Sequence, residues 1–398
     1  MRNVAILGAT GSIGTQALAV VRSHPNELRV VALAAAGTNV ALLAEQVLEF
    51  NPAVVAVADP STIASFEATI ARTAADRRAR IPTTRTVAGV AGVTAVASYA
   101  AADVVLNGIT GAAGLSATLA ALQAGKTLAL ANKESLVIGG SLVCAAAAEG
   151  QIVPVDSEHS AIAQSLRAGE HGEISRILLT ASGGPFRGYS LDELAVVTPA
   201  QALQHPTWNM GRVVSINSAT MVNKGLEIIE AHLLFGVPIE RITVVAHPQS
   251  VVHSGVEFVD GALILQAASP DMRLPIALGL TWPTRLPEVV RPAQWNAATA
   301  WTFEPVDENV FTALADARRA GELAGSAPAV FNAANEVAVD AFCAGLCGFL
   351  DIQRTISKVL DEHLSTSYVS DATLTLPNVL AADAAARVAA RTALGLEH

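Results

Sequence analysis

Asp156 and Glu158 stand two residues apart in "VPVDSEHSA", and Glu227 follows Lys224 by three residues in "SATMVNKGLEIIEA". Three carboxylates suit a hard divalent cation, because Mg2+ and Mn2+ take oxygen ligands and keep positions open for substrate oxygens. If the chain is extended at Asp156 and Glu158, the two side chains share one face at the C-terminal end of a strand. An acidic turn with a solvated Glu158 is the plain alternative. Ser218, Asn223 and Lys224 read as donors to a substrate phosphate, with Glu227 completing the metal site. A surface ion pair of Lys224 with Glu227 competes with that reading.

"VAILGATGSIG" (Val4 to Gly14) sets a short apolar run before Gly8, Gly11 and Gly14. Such a loop turns tightly, lets a pyrophosphate approach bare backbone and starts a helix whose N-terminus carries partial positive charge. A dinucleotide is the first ligand it suggests; a tight turn in an α/β protein is the other. The next strand ends in Ala36, Gly37, Thr38 and Asn39 with no carboxylate for a ribose hydroxyl, which favours NADP over NAD.

"ANKES" places Asn132, Lys133 and Glu134 just after an apolar run, where doubly wound sheets present functional groups, or else where a helix is simply capped. "LTASGGPFR" offers Ser182 and two glycine amides as an anion nest before Arg187. His205 in "HPTWNMG" and His253 after "HPQSVV" are active-site candidates, whereas His24, His171, His363 and His398 receive no role. Trp208 is either a residue of a closing loop or a core anchor, and its loop setting favours the first.

These groups need a scaffold, and the chain's length and patterning supply one. With 398 residues, two or three domains are expected. Six apolar runs, "VAIL", "RVVALAA", "AVVAVA", "DVVLNG", "TLALA" and "QIVPVD", alternate with alanine-rich helical stretches, the pattern of an open, doubly wound parallel sheet. A second section mixes "ISRILLTAS", "RITVVAH" and "ALILQAA" with a long polar stretch from Ser182 to Gly211 that reads as a lid. Four prolines between Pro283 and Pro305 mark a linker, and four helical periodicities after it predict a small bundle. The fold class is therefore α/β: an N-terminal Rossmann-like doubly wound domain over 1–150, a central α/β catalytic domain over 151–285 with a lid at 182–212, a linker at 286–308, and a C-terminal helical domain over 309–398.

The formal net charge of −10 argues against nonspecific nucleic-acid binding. The longest uncharged stretch, Val104 to Gly125, is interrupted by Asn107, Gly108, Gly111, Gly114 and Gln123, which excludes a lipid-facing span. No basic, apolar and small-residue leader precedes the first strand, and three cysteines form no disulfide framework, so a cytoplasmic protein is expected. Cys343 and Cys347 read as core thiols. The basic stretch Ala71 to Val87 carries no assignable role.

In order along the chain, "GATGSIG", "ANKESLV", "VDSEHSA", "ASGGPFR", "HPTWNMG", "SATMVNKGLEIIEA", "HPQSVVHS", "PDMRLPIA" and "NAANEVAV" closely resemble the 1-deoxy-D-xylulose 5-phosphate reductoisomerase family, from Val4 into the C-terminal helices. The resemblance implies a homodimer dependent on NADPH and on Mg2+ or Mn2+, with Co2+ a further alternative. It would convert 1-deoxy-D-xylulose 5-phosphate to 2-C-methyl-D-erythritol 4-phosphate on the non-mevalonate route to isoprenoid precursors, by skeletal rearrangement and then hydride reduction. Carried over by motif, it implies that Thr10, Gly11, Ser12, Ile13, Gly37, Asn39, Asn132, Glu134 and Gly211 contact NADPH and that Asp156, Glu158 and Glu227 hold the metal. Lys133, Ser157, Glu158, Ser182, His205, Trp208, Ser218, Asn223, Lys224 and Glu227 would line the substrate, with Met210 on the closing loop. Lys133, Glu158, His205 and His253 would be the catalytic set. Thr38 departs from the basic residue often found after Gly37 in the family and removes one partner for an adenosine 2'-phosphate. Two other readings of the residues stay open: an NADP-linked reductase of acidic metabolites that needs no metal, and a nucleotide sensor without turnover.

Overall fold

The computed structural model describes residues 1–208 and 210–396. By internal packing the chain forms two compact units, one made of Met1–Ser135, Ala145–Ser160 and Asp271–Arg291, the other of Leu136–Cys144, Ala161–Pro270 and the residues from Pro292 onward.

The chain runs through β1 (Arg2–Leu7), α1 (Ser12–Ser23), β2 (Leu28–Ala35), α2 (Val40–Phe50), β3 (Val54–Val57), α3 (Ile63–Asp76), β4 (Arg85–Ala88), α4 (Gly89–Ala97), β5 (Val104–Asn107), α5 (Leu115–Gln123), β6 (Thr127–Leu130), α6 (Lys133–Ala146), β7 (Ile152–Pro154) and α7 (Ser157–Ser165). The seven strands form one parallel sheet in the order β4-β3-β2-β1-β5-β6-β7. Its order reverses between β1 and β5, the place where open α/β sheets bind ligands beyond their carboxyl ends. The apolar runs become the buried strands because both sheet faces are covered: Val4–Leu7 and Val104–Leu106 are essentially inaccessible.

One strand escapes the hydrophobic pattern. The basic stretch from Ala71 finishes α3 and then supplies β4, a half-exposed edge strand whose apolar residues are only Val87 and Ala88. An edge strand of four residues needs no apolar run, so periodicity does not reveal it.

The second unit contains β8 (Ile174–Ala181), α8 (Leu191–Leu194), α9 (Pro199–Ala202), α10 (Arg212–Ala219), α11 (Val222–Phe235), β9 (Ile242–Ala246), β10 (Val252–Phe258) and β11 (Leu263–Ala267). The chain then adds α12 (Arg273–Thr281) to the first unit and returns with β12 (Glu304–Pro305) and the bundle α13 (Ala313–Leu323), α14 (Ala327–Cys343), α15 (Phe349–Thr366) and α16 (Leu376–Ala393). The second sheet has the order β11-β10-β8-β9-β12 and is mixed. Strand β10, between β11 and the central β8, carries "VHSGVEF", which is absent from the strands expected from sequence because a histidine and a glycine interrupt the apolar alternation. Sheet and bundle share one core: Ile177 and Leu179 of the sheet belong to the same cluster as Phe331, Phe342 and Phe349 of the helices.

Residues 271–291, assigned from sequence to the central section and the linker, pack with the first unit. Ile276, Ala277 and Leu280 of α12 join that unit's core, Gly279 lies against Val155 and Ala129, and Arg2 donates to the carbonyls of Leu280 and Trp282 at 3.3 and 3.0 Å. Periodicity marks α12 as a helix without saying which sheet it covers.

The polar stretch expected as one lid loop is partly built. Two short helices, α8 and α9, begin at capping boxes on Ser190 and Thr198, and Phe186, Leu194, Val197 and Ala202 enter the core. Residue 209 of this stretch, like His398, lies outside the described residues.

Gly14→Ala tests the tightest packing in the first unit. A Cβ there would lie 2.3 Å from the Gly8 carbonyl oxygen and 2.6 Å from the Ala9 Cα, both backbone atoms that cannot rotate away. Denaturant unfolding should show a loss of about 1–3 kcal/mol, as overpacking does. Gly172→Ala, with open space around it, should stay within about 0.5 kcal/mol.

Candidate active site

On the first unit, β1 ends in a loop shaped by contacts that only glycine permits. Gly8 has φ +79°, and a Cβ on it would stand 2.6 Å from the Gly108 carbonyl oxygen at the end of β5. The Gly8 and Ala9 amides both donate to the Ala34 carbonyl at 2.9 Å, and the Gly11 amide donates to the Gly8 carbonyl at 2.9 Å. Thr10, Ser12 and Ile13 donate to no backbone carbonyl among the described residues. Those amides, at the start of α1 where no side chain caps the helix, are a fit for phosphate oxygens. The cradle, with no room for a Cβ at Gly8 or Gly14, suits the pyrophosphate of a dinucleotide. Gly37 has φ +105° at the end of β2, and the Asn39 side chain caps α2 by accepting the Leu42 amide at 3.1 Å.

Asn132, Lys133 and Glu134 open α6. The Asn132 side chain is buried; its Oδ1 accepts the Ser135 amide at 2.9 Å, and its Nδ2 donates to the Gly111 carbonyl at 3.1 Å and to Glu134 Oε2 at 2.9 Å. The cap fixes where Lys133 begins, and Lys133 reaches the Asp156 carboxylate with Nζ 2.6 Å from Oδ2.

The acid pair differs from its expected form. β7 ends at Pro154, and Ser157 already starts α7, so Asp156 and Glu158 are not two positions of an extended strand. Asp156 instead precedes the helix, with Oδ1 accepting the Glu158 amide at 3.1 Å, and Glu158 sits in the first turn with Ser157 donating to its carboxylate. A helix start brings the two acids together as a strand would, and its dipole favours negative charge there. Burial alone would raise the Asp156 carboxyl, but the Lys133 ammonium and the hydrogen bond from His159 hold it well below the usual carboxylate range. An ionised carboxylate beside a second acid is the donor chemistry a hard cation takes. His159, buried with Nδ1 3.1 Å from Asp156 Oδ1, is the residue the motif reading passed over, although it lies inside "VDSEHSA".

The second unit gathers most of the expected phosphate and loop residues. Ser182 directly follows β8; its Oγ accepts the Gly184 amide at 3.1 Å and lies 2.9 Å from His205 Nε2. His205 Nδ1 accepts the amides of Thr207 and Trp208 at 3.2 and 2.8 Å, so the ring proton sits on Nε2 and points at Ser182. Gly184, with φ +65°, packs where a Cβ would be 2.9 Å from the Ser218 carbonyl oxygen, joining the glycine turn to the end of α10. Trp208 meets His253 with ring centroids 6.0 Å apart, and His253 Nε2 lies 3.2 Å from the Ala268 carbonyl. Gly211 precedes α10 on this unit.

Lys224 and Asn223 both donate to the Glu227 carboxylate across one turn of α11. This is the ion pair weighed from sequence, but not a surface one: Lys224 and Glu227 are 4% and 1% exposed. A buried pair of this kind adds little to stability against an apolar replacement.

The sequence profile of 1-deoxy-D-xylulose 5-phosphate reductoisomerase matches residues 4–140, its C-terminal domain profile matches 152–235, and a second DXP reductoisomerase C-terminal domain profile matches 267–389. The chain belongs to the 1-deoxy-D-xylulose 5-phosphate reductoisomerase family. The reductoisomerase of Cutibacterium acnes is 57% identical, with 98% of this chain and 99% of that protein covered, and that of Kitasatospora griseola is 55% identical over 97% and 98%. Among solved structures, a reductoisomerase from Zymomonas mobilis in complex with NADPH is 41% identical, with TM-score 0.89 and 99% of each chain covered. Another reductoisomerase, in complex with NADPH, fosmidomycin and magnesium, is 38% identical with TM-score 0.90, covering 99% of this chain and 98% of that one.

Burial pushes the His205 ring down to about 4 from an ordinary 6.5. Between those values the unfolded chain binds a proton that the folded chain refuses, so this contribution is complete above pH 6.5 and is lost as pH falls toward 4. Thermal melting followed from pH 7 to pH 4.5 should show a declining midpoint, with a shallower decline in His205→Gln.

Proposed function

We propose that this chain is an NADPH-dependent, divalent-metal-dependent reductoisomerase that converts 1-deoxy-D-xylulose 5-phosphate to 2-C-methyl-D-erythritol 4-phosphate for isoprenoid precursor synthesis. The observation that carries this is the 57% identity over 98% of the chain to a reductoisomerase, in a chain whose glycine loop stands at the reversal of the first sheet.

In this reading the amides of Thr10, Ser12 and Ile13 hold the NADPH pyrophosphate, with Gly11, Gly37, Asn39, Asn132, Glu134 and Gly211 as further contacts. Asp156, Glu158 and Glu227 would hold Mg2+, with Mn2+ or Co2+ able to replace it. When bound, the metal supplies Lewis-acid stabilisation of the charge that develops on the substrate's oxygens during rearrangement. NADPH supplies the hydride that reduces the rearranged aldehyde.

The chain's own groups do the binding and orienting. Ser182, Ser218, Asn223 and Lys224 hold the phosphate, and Ser157 and Lys133 face the reacting end. The Lys133 ammonium and His159 keep Asp156 deprotonated and therefore ready for a cation. His205 donates from Nε2 to Ser182 Oγ and so aims that hydroxyl, while Trp208, seated on His253, carries the segment through Met210 that excludes water from the reacting carbons. Binding energy at the phosphate, remote from the chemistry, aligns the carbons that must rearrange. The doubly wound part of the first unit is the cofactor domain, and the second unit carries the phosphate site and the bundle.

A homodimer completes the proposal. β11 is an edge strand with Leu263 and Ile264 exposed, and the exposed Trp295 stacks edge-on with Trp301 at 6.1 Å between ring centroids. An apolar edge of this kind is covered in stable proteins, and a second copy of the chain is the occupant proposed here. A cytoplasmic location accompanies this reading and agrees with three free cysteines; no described helix is long and apolar enough to cross a membrane.

NADPH oxidation on adding 1-deoxy-D-xylulose 5-phosphate and Mg2+ tests the activity. It should stop with chelator and slow sharply with NADH; turnover that survives chelation would mark a metal-free reductase instead. Glu227→Gln should lower kcat by about 100-fold or more while NADPH binding stays near wild type, and full activity would remove Glu227 from the metal site. Sedimentation should find a dimer that Ile264→Lys converts to monomer; an unshifted dimer places the interface elsewhere.

A further inference from the structure

The glycine loop depends on a residue that lies outside every motif. Gln46, on α2 and 4% exposed, donates from Nε2 to the Ala9 carbonyl at 2.9 Å, across 37 positions of sequence. Its Oε1 is buried and meets no donor among the described residues. The amide cannot be turned round, because Ala9 presents an acceptor and only the nitrogen end can donate to it.

Two consequences for the loop follow from covalent geometry. A trans peptide sends its carbonyl and the next residue's amide to opposite sides. Holding the Ala9 oxygen against α2 therefore turns the Thr10 N–H away from α2 and out of the loop. The Ala9 carbonyl is also the i−4 partner that the Ile13 amide would take if α1 began two residues earlier. With Gln46 drawing that carbonyl toward α2, Ile13, in the first turn of α1, donates to no backbone acceptor among the described residues. One side chain thus keeps two amides aimed outward.

An unmatched buried acceptor costs stability, and an apolar side chain of the same size would avoid it. A residue kept for packing alone would not carry that cost. We propose that Gln46 is a positioning residue for the dinucleotide: it holds the Ala9 carbonyl so that the Thr10 and Ile13 amides stay available to the pyrophosphate. This rests on the reading of the loop as the NADPH cradle.

The test compares wild type, Gln46→Met and Gln46→Glu by titration with NADPH in the absence of substrate, alongside ligand-free melting and steady-state kinetics. Gln46→Met should melt at or above the wild-type temperature yet bind NADPH about tenfold more weakly. Its kcat at saturating NADPH and its KM for the phosphosugar should stay within twofold. Gln46→Glu sets an acceptor against the Ala9 oxygen at neutral pH but can donate once its buried carboxyl is protonated. Its affinity for NADP+, which survives acid, should recover relative to wild type between pH 8 and pH 5.5.

Unchanged NADPH affinity in a folded Gln46→Met overturns the proposal. So does an affinity loss accompanied by a fall in ligand-free melting temperature with no acid recovery in Gln46→Glu, which would make Gln46 a packing residue. Failure of wild type to bind NADPH overturns the reading of the loop itself, whereas normal wild-type binding with unaltered variants removes Gln46 alone.

Discussion

Two parallel strands leave the first sheet so close together that the turn after β1 has no room for a side chain. A Cβ on Gly8 would penetrate the backbone at Gly108, and one on Gly14 would penetrate Gly8 in turn. This close approach of backbone to backbone sets the loop's path. Once Gly8 and Ala9 are spent on the Ala34 carbonyl and Gly11 on the Gly8 carbonyl, the amides of Thr10, Ser12 and Ile13 meet no backbone acceptor among the described residues, an arrangement that suits anionic oxygens. The outward-facing amides of this turn are therefore a consequence of how tightly β1, β5 and α1 pack.

Charge is handled by the same economy of placement. A chain with net charge −10 has little general attraction for phosphate, and its buried acids would repel a phosphate unless cations stood beside them. Lys133 flanks Asp156, to which His159 also hydrogen-bonds, and Lys224 flanks Glu227. Burial makes these pairings strong enough to hold Asp156 ionised, where the same groups on an open surface would be screened.

The second unit trades freedom for placement. The stretch after Ser182 is anchored by Phe186, Leu194 and Val197 in the core that also holds the bundle, so its first half is scaffold. Only after Ala202 does the segment carry His205 and Trp208 on a shorter, polar-tethered course, tied to Ser182 and His253 rather than to the core.

Much of this was legible in residue order. Alternating apolar runs predict the buried parallel strands because a sheet covered on both faces demands continuous hydrophobicity, and the three glycines after β1 announce a loop that must approach other backbone. The cluster at Asp156 and Glu158 was also visible, although its helix-start geometry was not, since a spacing of two serves a strand and a helix cap equally. What stayed hidden were relations between distant segments. β4 lacks an apolar run because an edge needs none. α12 shows its periodicity but not the sheet it covers. His159 and Gln46 look like unremarkable polar residues until folding sets them against Asp156 and Ala9. Local spacing encodes the period and conformation of each element; which buried polar group meets which partner depends on how the elements pack, and a hydrogen bond across 37 residues leaves no trace in either period.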